Sequence, residues 1–152
     1  MAIKNLHLAL LPHHDGSALY VSPARPELEG KVKLKIRVHQ SAGPLKRILI
    51  RQSDSGEGFF TPPLKKLNSR RGWDWFEGSI TMYNPEIHYR FFIEFESGDS
   101  YWLNGVALSE LDQPDRDDFK VNTYRRPPSW ATGSVLYQVF PDRFAKGAKA
   151  PK

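Results

Sequence analysis

Between Lys31 and His39 the chain alternates without a break: Val32, Leu34, Ile36 and Val38 stand between Lys31, Lys33, Lys35 and Arg37. Successive side chains on a strand point to opposite faces, so this pattern predicts a strand with one buried face and one in water, the signature of an antiparallel sheet. The same period returns at Arg47–Gln52, with Ile48 and Ile50 on one face. From Trp73 to Met82 it places Asp74, Phe76, Gly78, Ile80 and Met82 on one side and Trp73, Trp75, Glu77, Ser79 and Thr81 on the other. Ile87, Tyr89, Phe91, Ile93 and Phe95 form a longer apolar row. Ser97-Gly98-Asp99 predicts a hairpin into Tyr101-Trp102-Leu103, and Leu19–Val21 and Phe119–Val121 read as short strands. No segment shows a convincing helical period. About seven short antiparallel strands at this spacing predict an all-β sandwich, in which Val32, Leu34, Ile36 and Val38 pack against Tyr89, Phe91 and Ile93.

The connections follow from turn chemistry. Pro12–Gly16, Gly43-Pro44 and Asn84-Pro85 are predicted turns, and Pro62-Pro63 excludes a regular element. His13 and His14 are adjacent and cannot share one face, so a surface turn is expected there rather than a metal pair. Lys65–Arg71 is basic and does not alternate, which predicts a loop. Leu111–Asp118 is an acidic loop whose aspartates, Asp115, Asp117 and Asp118, are expected to be solvated or capping. The stiff Arg125-Arg126-Pro127-Pro128-Ser129 stretch marks a domain boundary. The expected division is a sandwich over 1–125, a Pro-rich linker over 126–134 and a separate segment over 135–152.

Composition changes this picture little. The chain has 152 residues, enough for one domain with its own core. It has no cysteine, so disulfides and thiolate metal sites are excluded. No apolar run approaches the ~20 residues of a membrane helix, and Met1–Leu11 lacks a signal-peptide pattern, so a cytoplasmic location is expected, with no membrane partner. The formal charge is +5 and the pI about 9.5. A basic chain suggests nucleic acid. Its cations, however, fall in scattered pairs, Lys65-Lys66, Arg70-Arg71 and Arg125-Arg126, interrupted by acids. A solvated surface is the expectation, and no nucleic-acid partner.

Near the C-terminal end stands Val135-Leu136-Tyr137-Gln138-Val139-Phe140-Pro141-Asp142-Arg143-Phe144. It is a short apolar run closed by Pro-Asp, suited to a buried strand that exits into a loop. Tyr137, Gln138, Pro141, Asp142, Arg143 and Phe144 resemble the opening of the first barrel strand in the α-amylase family of glycoside hydrolases, with Val139 where isoleucine is usual. A β-sandwich just before such a strand resembles the neopullulanase, cyclomaltodextrinase and maltodextrin glucosidase branch. The resemblance implies an immunoglobulin-like, starch-binding-type N-terminal domain, followed by the start of a (β/α)8 catalytic barrel that needs roughly 250 residues and is missing here. It implies α-glucan or maltodextrin as ligand, and homodimerisation as the competing role for the same surface.

Retaining hydrolysis of an α-glucosidic bond needs two carboxyl groups facing each other across the sugar. The family carries them in later motifs that do not occur in this sequence, so no catalytic residue is assigned, and the motif residues are read as structural. Ala145-Lys146-Gly147-Ala148 replaces the oxygen-rich continuation that can hold calcium in the family, so no metal or other cofactor is expected. Sugar-binding modules stack aromatic rings on the apolar faces of glucose units. Trp73 and Trp75, placed by alternation beside Glu77, Ser79 and Thr81, and Trp102, beside the Asn104-Gly105 turn, are the candidate carbohydrate-binding residues.

Overall fold

The structure is a computed structural model that describes residues 3, 6–53, 58–124, 129–131, 133–135 and 137–138. Ten strands run in chain order: β1 Val21–Ser22, β2 Lys31–His39, β3 Leu45–Ser53, β4 Gly58–Phe60, β5 Lys65–Arg70, β6 Trp73–Thr81, β7 Glu86–Phe95, β8 Ser100–Leu103, β9 Leu108–Ser109 and β10 Phe119–Asn122. They form two antiparallel sheets. One has the order β1-β2-β6-β5. The other has the order β4-β3-β7-β8-β9, with β10 also paired to β7. There is no α-helix among the described residues, only short 3-10 turns. The expected all-β sandwich is what the chain forms.

The alternation read in the sequence is the sandwich core. Val32, Leu34 and Ile36 of β2 are fully buried, as are Ile50 of β3 and Tyr89, Phe91 and Ile93 of β7. They belong to one apolar cluster shared by the two sheets. Facing rows of this kind supply the burial that stabilises a sandwich. At Gly78 of β6 the facing side chains come close: an added Cβ would lie 2.9 Å from the Leu64 side chain and 3.1 Å from Ile50 Cδ1.

Three features differ from expectation. Lys65–Arg70 is a strand, not a loop. It pairs along β6 with a bulge between Lys66 and Asn68, and all six of its residues are exposed. An edge strand with both faces in water has no apolar row to alternate, and its strand character comes from its partner. The β5–β6 turn is the two-residue Arg71-Gly72 pair, with φ of 52° and 80°, the left-handed geometry that matches the twist of a hairpin. Second, His14 is not on the surface: it is 4% exposed. Third, Asp115 and Asp118 are not simply solvated; they hold a buried arginine.

That arginine is Arg90, at 0% exposure the largest fully buried side chain among the described residues. On its far edge β7 pairs with β10 from Glu86 to Tyr89 and with β8 from Phe91 to Glu94. Arg90 sits at the seam. Its Nε lies 2.6 Å from Asp118 Oδ1 as an ion pair and its Nη2 donates to Asp118 Oδ2 at 3.1 Å, and further bonds run to Asp112, Asp115 and the Gln113 carbonyl. Burial works against the guanidinium charge, but Asp118, Asp112 and Asp115 outweigh it and hold its pKa above the ordinary value. Arg51 on β3 adds a second cation, 2.9 Å from Asp115. The acidic loop is thus fastened across sheet two by charge-assisted hydrogen bonds.

The chain leaves β10 at the end of the sandwich where β7 begins, with the Thr123 N–H donating to the Pro85 carbonyl at 2.9 Å. Beyond it, Trp130, Val135 and Tyr137 are 70%, 92% and 82% exposed. Of the barrel-strand motif, Tyr137 and Gln138 are both exposed; Pro141, Asp142, Arg143 and Phe144 lie outside the described residues.

Candidate functional site

The outward face of the first sheet is built from alternate positions of three strands. Register places Arg37 opposite Trp75, His39 opposite Trp73 and Lys35 opposite Glu77 between β2 and β6, then Asn68 opposite Trp75 and Arg70 opposite Trp73 between β6 and β5. Trp73 and Trp75 therefore stand on the polar outer side with Glu77, as their spacing predicts. Both are half-buried.

The two rings have different surroundings. Trp73 carries the Arg37 guanidinium 4.5 Å above its ring and meets His39 edge-on at 5.0 Å. One face is thus already used in a cation–π contact. Trp75 stacks on Tyr20 at 5.3 Å and an interplanar angle of 20°. Tyr20 is itself 2% exposed, so this stack gives Trp75 a fixed orientation. The rest of the indole lines a shallow hollow of about 220 Å³ with Leu19, Lys35, Leu67, Asn68 and Arg70. Leu19 and Leu67 are exposed at 61% and 47%, so the hollow combines apolar surface with the polar side chains of Lys35, Asn68 and Arg70. That is the arrangement a flat, amphipathic ring requires.

Trp102 lies elsewhere, on the outward side of the second sheet. It packs against Phe92 at 4.8 Å and Phe60 at 6.1 Å, and the buried Arg90 lies 5.8 Å from its ring. Phe60 is 50% exposed. The result is an aromatic strip on the second sheet, so the structure separates Trp102 from Trp73 and Trp75 on the first. The strip was not legible in the sequence, because Gly58–Phe60 has only three residues and its pairing to β3 fixes where Phe60 points.

A second, larger depression of about 720 Å³ opens between the N-terminal segment and the β8–β9 turn, lined by His13, Asp15, Arg37 and Asn104 among others. Its polar groups are mostly engaged. Asn104 Oδ1 accepts from the Val106 and Ala107 N–H groups, and Asp15 Oδ1 from the Ser17 N–H. His14, beneath, points into the core, where Tyr89, Phe91 and Phe119 surround its ring. No group of histidine, aspartate and glutamate among the described residues is placed to hold a metal ion, and no described helix is long and apolar enough to cross a membrane.

The architecture is that of a two-sheet antiparallel β-sandwich, with the Trp75 hollow on one outer face. Comparison with known proteins agrees with the resemblance carried by the C-terminal motif. A curated cyclomaltodextrinase from Bacillus sp. is 26% identical over 93 residues, covering 56% of this chain and 16% of that protein. The solved structure of a cyclomaltodextrinase matches with a TM-score of 0.63 at 19% identity, covering 97% of this chain and 26% of that one. The cycloalternan-forming enzyme from Listeria monocytogenes, solved in complex with a pentasaccharide substrate, matches with a TM-score of 0.52 at 13% identity over 74% of this chain and 10% of that one. No family model matches. The chain spans about a sixth to a quarter of the cyclomaltodextrinases it resembles.

Proposed function

We propose that this chain is the non-catalytic N-terminal β-sandwich of a larger enzyme acting on α-glucans or maltodextrins, and that it binds carbohydrate at the Trp75 hollow. The observation that carries the reading is the hollow itself: a fixed indole, two leucines and Asn68 within about 220 Å³, the scale of one sugar ring. A glucose unit lays its C–H face on the indole while the Asn68 amide takes hydroxyls. Retaining hydrolysis needs a facing carboxylate pair. The aspartates that cluster here grip Arg90 instead, and this reading assigns the catalytic step to a barrel elsewhere in the larger enzyme. In this reading the Pro-rich stretch at 126–134 links the sandwich, 1–125, to the barrel's first strand at 135–152, and Asp142 and its neighbours shape that strand's exit.

The test is affinity electrophoresis of the 152-residue chain through gels containing amylopectin, with maltoheptaose titrated by calorimetry. Retardation that disappears in Trp75→Ala, with an unchanged circular dichroism spectrum, is the expected result. An unretarded wild-type chain would sink the reading.

The aromatic strip favours a second role. Phe60, Phe92 and Trp102 form a cluster of tilted aromatic rings of the type that anchors protein interfaces, which fits a subunit contact in a homodimer. A sedimentation series across concentration, comparing wild type with Trp102→Ser, decides it: self-association that the substitution abolishes supports the contact, and a monomer at all concentrations removes it.

A further inference from the structure

The basic residues that look scattered along the chain are not scattered on the molecule. Alternation sends Lys31, Lys33, Lys35 and Arg37 of β2 to the same outward face, and the β5–β6 register adds Lys65 and Arg70. The carboxylate these three strands present on that face is Glu77, and it lies 3.6 Å from Lys33. Asp74 is turned to the other side, where Lys66 holds it at 2.6 Å. Arg37 is committed to the Trp73 ring. Lys31, Lys35, Lys65 and Arg70 have no carboxylate partner among the described residues. Two of them, Lys35 and Arg70, line the Trp75 hollow, whose walls contain no acidic side chain.

A hollow for neutral sugar alone would be expected to offer amides, carboxylates and hydroxyls to the hydroxyl groups. This one offers an indole, an amide and two cations that have no carboxylate partner among the described residues. We infer that the Trp75 hollow selects a glucosyl unit carrying an anionic substituent, a phosphate monoester being the chemical class that fits, so that the preferred ligand is a phosphorylated α-glucan. The inference rests on the carbohydrate reading above and deepens it. Trp75 holds the sugar ring, Lys35 on the β2 side and Arg70 on the β5 side take the phosphate oxygens, and the remaining cations of the face raise the local concentration of the anionic polymer. The combination favours a phosphorylated glucan over nucleic acid because the hollow sets a single indole beside two cations, whereas single-strand binding draws on successive aromatic platforms.

The experiment compares phosphate-bearing maltodextrin from potato amylopectin with the same material after phosphatase treatment. Both are titrated into the full 152-residue chain at fixed ionic strength. Hydrogen bonds to charged groups are worth about tenfold in affinity, so the phosphorylated ligand is expected to bind about tenfold tighter. In Lys35→Gln/Arg70→Gln the ratio is expected to fall to about one, and inorganic phosphate should compete with the phosphorylated ligand only; thermal melts confirm that the variant is folded. Equal affinity for the two preparations overturns the inference and leaves the carbohydrate reading standing. Binding of neither overturns both. If a single-stranded oligonucleotide of equal phosphate content binds as tightly as the phosphorylated maltodextrin, the face is a general polyanion surface and the inference also fails.

Discussion

Lowering the pH from 7 to 5 should destabilise this protein through one side chain, His14. The His14 Nδ1–H donates to the Lys35 carbonyl at 2.6 Å, which fixes the tautomer and leaves Nε2 to accept from the Tyr89 hydroxyl at 2.8 Å. Protonating Nε2 would remove that acceptor and place a charge among Tyr89, Phe91 and Phe119. Burial therefore lowers its pKa from 6.5 to about 4, against smaller opposing effects of the Lys35 carbonyl and Asp15 and a small reinforcing one from His13. The unfolded chain takes up this proton as the pH falls through 6.5, whereas the native state resists until about 4. Stability is therefore full above 6.5 and falls between 6.5 and 4, by about 1.4 kcal/mol for each unit of pH once the unfolded imidazole is charged. Between pH 7 and pH 5 the loss is about 2 kcal/mol, and by pH 4 it is about 3 kcal/mol. The carboxylates held low by their partners, Asp74, Asp115, Glu86 and Glu94, titrate in the unfolded chain near pH 4 and act mainly below this window. Urea unfolding of wild type and His14→Gln at pH 7 and pH 5 reads the effect. Glutamine keeps one donor and one acceptor but does not titrate, so the variant should lose less than about 0.5 kcal/mol over the same interval, the ordinary scatter of neutral sites. Equal losses in both proteins would refute the assignment.

Arg90→Met should cost about 3–5 kcal/mol in chemical denaturation, because it leaves Asp118, buried at 6% exposure, without its counter-charge. Gly78→Ala forces a methyl against Leu64 and Ile50, and a loss of about 1–3 kcal/mol is expected in thermal or urea melts. Ending the chain after Ser129 removes Val135 and Tyr137, which are 92% and 82% exposed, so the unfolding free energy should stay within about 0.5 kcal/mol of the full chain, while light scattering reports less aggregation.

The long strands were legible because burial on one side writes a period of two into β2, β6 and β7, and the same period placed Trp73 and Trp75 correctly on the outward face. What the chain hides has a common cause: the property belongs to a partner distant in sequence. β5 has no apolar row, and only β6 makes it a strand. Arg90 occupies a polar position of β7 and is buried because a loop more than twenty residues later folds across it. His14 differs from His13 by one place, yet His14 is buried and His13 only partly covered. The cationic face is invisible as a run, since its members are spaced two apart on β2 and the others arrive from β5.

The shared far edge of β7 also determines how the molecule opens. β8 and β10 are separated by fifteen residues of chain, yet they line one edge of the same strand and meet at Arg90, whose ligands all lie in the segment between them. Neither strand can peel away without dragging on that segment and exposing its buried charges. Protection from hydrogen exchange should therefore be lost together at the amides of Phe91 and Ile93 beside β8 and of Ile87 and Tyr89 beside β10, with one opening free energy for both halves of the edge. A bare ladder would fray from its ends; here a single buried cation makes two short strands, weak by length alone, into one cooperative unit.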